Sequence, residues 1–228
     1  YITGGVVEND PVPKCKFLHI TDDIAWFGHV MEGSETLTFR VRQSVPGDID
    51  SAPGSFFTDV EDEITGLSSF NSTPVVLCKG TIYRLDGFFD ELGRGSIIPT
   101  RISDTTGCVN HLSIVQTPIG VFFAGTDGFY YTDAYRVLKI SEELNSTYKA
   151  LVGTAAQQSS MYGVYDEENQ RIYWTVQASS TGADADRIYV LDIRWGVKPD
   201  SAFTTWSGGD SFAPSSIGFF QREFLRAD

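Results

Sequence analysis

The chain has 228 residues, 30 of them acidic against 17 basic, for a formal charge of -13, and 41% of its residues are hydrophobic. That much apolar side chain fills a core and excludes a disordered chain. The acidic excess excludes a surface that grips nucleic acid by displacing phosphate counterions. No run approaches the ~18 apolar residues of a membrane-spanning helix. With 22 Gly, 9 Pro and 13% aromatic residues, the composition favours many short strands joined by tight turns, so the expected class is all-β.

Residues 1–16 (YITGGVVENDPVPKCK) read as a lead-in segment, because Gly4, Gly5, Pro11 and Pro13 interrupt any period. Residues 17–228 read as β-propeller blades, four to five of them. Phe17 to Arg42 holds a first blade in pattern, with strict alternation in TLTFRVR that puts Leu37, Phe39 and Val41 on one face. Ser44 to Glu63 lacks a period and reads as a long surface loop. A strand-turn-strand phrase then recurs every ~45 to 55 residues, the spacing of propeller blades. Its copies run from Ile64 to Gly87 and from Val109 to Asp133, and a third from Met161 to Val176 takes its last strand from Arg187 to Ile193. A further copy begins at Ser216. In GVFFAG the unbroken apolar run predicts that Val121, Phe122 and Phe123 are buried on both faces of their strand.

Between the second and third copies, RVLKISEELNSTYKAL is expected to form one short inserted helix, with Ser141 as N-cap and Glu142 and Glu143 in the first turn. Trp195 and Trp206 bracket the last strand pair and are expected to pack between blades. The chain opens without Met and ends in mid-pattern after Phe224, Leu225 and Arg226, which predicts a segment of a longer protein and a partial ring.

No catalytic, cofactor-binding or metal-binding residue is assigned. Cys108 and His111 would be a nucleophile and base, but three residues apart on a strand they point to opposite faces. Cys15 and His19 share a face but lie ~13 Å apart at strand rise, too far for one metal. His29 stands alone. Asp184 and Asp186 lack the spacing of a calcium loop, and Gly125-Thr126-Asp127-Gly128 reads as a hairpin turn, since a phosphate cradle would be followed by a helix. Asn71 and Asn145 match the glycan-acceptor pattern. Three Cys, at Cys15, Cys78 and Cys108, without close spacing predict buried thiols. The acidic groups Asp59, Glu61, Asp62, Glu63 and Asp166, Glu167, Glu168 read as solvated turns, or as a lining that repels anions.

The stretch from Ser44 to Ile193 resembles the propeller segment of virion proteins of tailed bacteriophages. The resemblance is carried by the PGD loop at Pro46 to Asp48, the DEITGL strand from Asp62, the VVLCKGTIYRL hairpin, Gly107-Cys108 before a serine-containing strand, and the apolar hairpin closed by Asp127-Gly128. Such proteins serve as tail-nozzle, tail-tubular or packaged-DNA stabilisation components. The resemblance implies a non-enzymatic structural protein of the virion tail or head-to-tail assembly, made in the host cytoplasm and without a cofactor. Its implied partners are copies of itself in a ring and other tail, adaptor or portal proteins, with genomic DNA passing nearby but not tightly bound. The alternatives are a receptor- or glycan-binding propeller at the tail tip and, behind it, a propeller glycosidase.

Overall fold

Two tight hairpins set the pattern of the molecule. Asp22 and Asp23 have φ of 49° and 58°, and Asn71 and Ser72 have 45° and 66°. A pair of left-handed residues matches the right-handed twist of the strands it joins, and Asp and Asn tolerate that region better than most residues. Each pair joins the first two strands of a four-stranded antiparallel sheet.

The computed structural model describes residues 11–89, 95–177 and 185–207. It contains four such sheets, each formed by four consecutive strands in simple up-and-down order. The first is β1 (Lys14–Thr21), β2 (Ile24–Glu32), β3 (Glu35–Gln43) and β4 (Phe57–Asp59). The second is β5 (Ile64–Phe70), β6 (Thr73–Cys78), β7 (Ile82–Phe89) and β8 (Gly95–Ser103). The third is β9 (Val115–Thr117), β10 (Gly120–Gly125), β11 (Gly128–Thr132) and β12 (Val137–Lys139), and the fourth is β13 (Tyr162–Asp166), β14 (Arg171–Val176), β15 (Arg187–Asp192) and β16 (Phe203–Ser207). The fold is all-β, with successive four-strand meanders as the blades of a propeller.

Neighbouring blades face one another through separate cores. Phe17, Trp26, Val41, Leu67 and Val76 join the first blade to the second. Leu77, Ile82, Phe123 and Tyr130 join the second to the third. The largest core joins the third to the fourth and includes Phe122, Phe129, Ile140, Tyr148, Trp174 and Tyr189. All six residues of β10 are buried, with Phe122 and Phe123 in different cores. That is the two-faced burial the sequence predicts.

Each repeat read from the sequence is one strand short of a blade. Of the strands these repeats leave out, β4 and β12 have three residues each with only Thr58 buried, so they carry little periodicity, whereas β8 has nine residues. Val137 to Lys139 pairs with β11 and is not part of a helix. Ser141 does not cap one either: its Oγ accepts from the Phe129 amide at 2.8 Å. The helix α1 covers only Asn145–Leu151 and has no side-chain N-cap bond. A second helix, α2 (Ala155–Ser159), opens with a capping box between Thr154 and Gln157, a Thr-x-x-Gln signal present in the sequence.

Other expectations also change. β1 begins at Lys14, inside the expected lead-in. The region from Val109 to Ile114 holds a 3-10 turn at His111–Ser113 instead of the start of a strand. Ser44, Ser51, Ala52 and Phe56 in the expected surface loop are buried against the first blade, because the Arg42 guanidinium donates to the Ala52 carbonyl and holds the loop down. Trp195 is 81% and Trp206 45% exposed, so the interblade indoles are Trp26 and Trp174 instead. The copy starting at Ser216 lies outside the described residues.

Candidate functional site

The first strands β1, β5, β9 and β13 contact one another in sequence and so form the inner edge of the blade array. Side chains of three blades meet there. His19 Nε2 lies 2.8 Å from Ser69 Oγ, and Gln116 Nε2 donates to the same oxygen at 3.5 Å. All three histidines of the chain gather near Phe17. The His29 ring stands edge-on to it at 6.1 Å and the His111 ring lies 5.1 Å away. Gly66 permits this approach, since a Cβ there would collide with Ile114 and meet His111 Nδ1 at 3.0 Å. His29 occupies a β-bulge at φ 56°, a position that re-aims its ring edge-on to Phe17 of the adjacent strand.

Burial disfavours the charged form of two of them, His19 and His111. The pKa of His19 is lowered first by burial and then by His111, and that of His111 by burial. The His19–Ser69 contact has the separation of a base and its nucleophile, but Ser69 is buried and among the described residues no carboxylate bonds to His19 to orient it. The pair therefore acts as a polar tie between blades. Ser69 escaped the sequence reading because a serine inside ITGLSSF carries no spacing signal.

Gly107 to Ser113 forms a brace linking three blades. The Cys108 amide donates to the Cys78 carbonyl, the Val109 amide to the Ala124 carbonyl, and Asn110 Nδ2 to the carbonyls of Ser159 and Met161. Trp174 Nε1 donates to the Ser113 carbonyl at 3.0 Å. Gly107 is needed because a Cβ would run into the Cys78–Lys79 backbone. Cys108 and His111 are thus parts of a structural turn: burial pushes the Cys108 thiol up to about 11, and the thiol faces Asn110 and Ser113. Cys78 is also buried and pushed up to about 12, mainly by burial, while Cys15 is exposed, contrary to the expectation of three buried thiols.

Most of the conspicuous acids are committed. Asp59 forms a two-pronged pair with Arg40 at 2.7 and 2.8 Å, and Glu61 pairs with Arg101. Asp62 accepts from Gly80 N and Glu63 N, both at 2.7 Å, and closes the β6–β7 turn. Asp166 is buried and accepts from Asn169. Glu63, Glu167 and Glu168 remain exposed. Asp127 accepts from Tyr130 and Lys139, which binds the Asp127-Gly128 hairpin into its own sheet. Asp184 lies outside the described residues, among which no group of three or more His, Cys, Asp or Glu is placed to hold a metal ion.

Two clefts open at opposite strand ends. One, about 490 Å³, lies beside the β10–β11 turn and includes Asp127, Tyr130 and Lys149. The other, about 470 Å³, lies between the first and second blades where their hairpin tips meet. Its wall includes Trp26, Leu85 and Ile97, and its rim Asp22, Ser72 and Asp86. Among the described residues no helix is long and apolar enough to cross a membrane.

The sequence matches no protein-family model and no curated protein. Among solved structures, the chain is similar to HIRA(644-1017) at 15% identity and a TM-score of 0.40, covering 86% of this chain and 54% of that one. It is also similar to a mutant Synechocystis apocarotenoid oxygenase at 10% identity and a TM-score of 0.34, covering 86% of this chain and 45% of that one. The chain spans about half the length of each of these structures.

Proposed function

We propose that this chain is a structural, non-enzymatic propeller component of a bacteriophage tail or head-to-tail assembly, acting in a ring of its own copies with other tail, adaptor or portal proteins. The observation that supports this reading is that the phage-like phrases fall on consecutive blade elements. The PGD loop follows β3, DEITGL opens β5, VVLCKGTIYRL spans β6 and β7, Gly107-Cys108 forms the brace, and the Asp127-Gly128 hairpin joins β10 to β11. A virion subunit must keep its shape under load. Interblade cores tied by buried hydrogen bonds at Ser69, Ser113 and Trp174 suit that task.

The charge fits a role beside passing DNA. At -13 the protein and the duplex repel, and binding releases few counterions. The test combines electron microscopy of particles carrying a labelled subunit with a titration of purified chain against duplex DNA at low salt. Label in a tail ring and no saturable DNA binding are expected. Label elsewhere, or tight DNA binding at physiological salt, overturns the reading.

A further inference from the structure

We propose that the cleft between the first and second blades binds a neutral polyhydroxylated ligand, the chemistry of a saccharide unit. The inference rests on the cleft alone and does not depend on the virion reading.

The cleft exists because two similar hairpins end side by side. The Asp22-Asp23 and Asn71-Ser72 turns reach the same level, and Ser72 Oγ donates to Asp22 Oδ1 at 2.9 Å. Beneath this clip, Trp26, Leu85 and Ile97 supply an apolar wall. A volume of about 470 Å³ lies within the range of small-ligand sites, ~300 to 1,000 Å³.

The polar groups decide the ligand's class. Asp86 accepts through Oδ2 from Arg84 Nε at 2.8 Å and Thr100 Oγ1 at 2.6 Å. Burial alone would raise its pKa, but these bonds outweigh it and keep the group ionised. Asp22 carries one bond, from Ser72, on Oδ1. Each carboxylate therefore keeps an oxygen without a hydrogen bond among the described residues, able to accept from a ligand hydroxyl.

A donor faces the opposite need. Trp26 is only 3% exposed and lines the cleft, and its indole N–H has no acceptor among the described residues. An unsatisfied buried donor is costly; this N–H has no surface open to the cleft, so a ligand oxygen satisfies it by displacing the side chains that cover it.

Two carboxylates reject an anion. Arg84 already offsets Asp86, and a cation would leave the indole N–H unanswered. A sugar-like molecule supplies hydroxyl donors for Asp22 and Asp86, an oxygen for Trp26, and an apolar ring face for the wall.

The test is saturation-transfer NMR on the purified full chain with neutral methyl glycosides of glucose, galactose, mannose and N-acetylglucosamine, and in parallel with lysine and arginine amides. Transfer to at least one glycoside is expected, with affinity reduced at least tenfold in Asp86→Asn and abolished in Ile97→Trp, which fills the cleft. Trp195→Ala, far more exposed and outside the cleft lining, is expected to bind as the unaltered chain does. Near-ultraviolet circular dichroism checks that each variant is folded. If Asp86→Asn fails to fold, Asp22→Asn takes its place with the same tenfold expectation. No transfer to any glycoside, transfer unaffected by folded Ile97→Trp, or binding confined to the cationic amides overturns the proposal.

Discussion

Ser72 donates a hydrogen bond of 2.9 Å to Asp22, fifty residues earlier in the chain, and so fastens the hairpin tip of one blade to that of the next. Both residues sit at positive φ, so side-chain bond and backbone strain are coupled at this point. Ser72→Ala loses the bond and keeps a Cβ in the left-handed region, whereas Ser72→Gly loses the bond but relieves that strain, worth ~1 kcal/mol. The alanine variant is therefore expected to be the less stable by about that amount. Urea midpoints at constant m-value measure the difference, and equal midpoints would show that the strain is absorbed elsewhere.

Phe122 fills the core between the third and fourth blades with no exposure, while Trp195 is 81% exposed. Truncating a fully buried phenylalanine costs ~3 to 5 kcal/mol. Phe122→Ala should fall in that range, and Trp195→Ala should stay within ~0.5 kcal/mol of the unaltered chain. Denaturant unfolding of the two variants side by side checks both. A larger loss for Trp195 would contradict the blade assignment.

Acid should weaken the fold in two windows. The pKa of His19 and of His111 is lowered in the folded state, so the unfolded chain, with ordinary histidines near ~6.5, takes up protons first as pH falls. Stability is then flat above that value and declines below it. Asp192 is held down to about 2 first by the hydrogen bond from Arg194, with Arg171 assisting. Its contribution is present above the usual carboxylate range and is lost as pH falls toward 2, and it is small because the pair with Arg194 is partly exposed. Thermal midpoints from pH 8 to 3 should show the first decline flattened in His19→Gln, and an unchanged profile would show that this histidine titrates alike in both states.

Thiol reactivity should separate the cysteines cleanly. Cys15 is exposed, whereas Cys78 and Cys108 are buried with thiols pushed up to about 12 and about 11 by burial. A disulfide reagent at pH 8 is expected to modify one thiol in the native protein and three in denaturant. Rapid modification of two or more native thiols would show that the first–second blade core, which holds Cys78, or the second–third core, which holds Cys108, opens readily.

The all-β class and the repeating meander were legible because they rest on local signals. The unbroken run GVFFAG and the Asp127-Gly128 turn each act within a few residues of themselves, and alternation in TLTFRVR marks a strand, although Phe39 is exposed and Leu37 and Val41 enter different cores. Of the outer strands, β16 was read as one of the last strand pair, β4 and β12, with three residues each, take their definition from the neighbouring strand, and the nine-residue β8 was missed. The same limit explains Val137 to Lys139, ahead of the expected N-cap at Ser141: their strand character comes from ladder bonds to β11 that only the folded sheet can offer.

The sequence by itself determined the all-β class, the repeating meander, the burial of Phe122 and the acidic surface, all of which follow from composition and short-range pattern. Tertiary structure decided what met across blades. It brought Ser69 to His19, gathered three histidines near Phe17, turned Gly107 to Ser113 into a brace, and set Asp22, Ser72 and Asp86 round one cleft. These groups are separated by tens of residues, and their spacing along the chain holds no record of their distance in space, which depends on how each blade packs against the next.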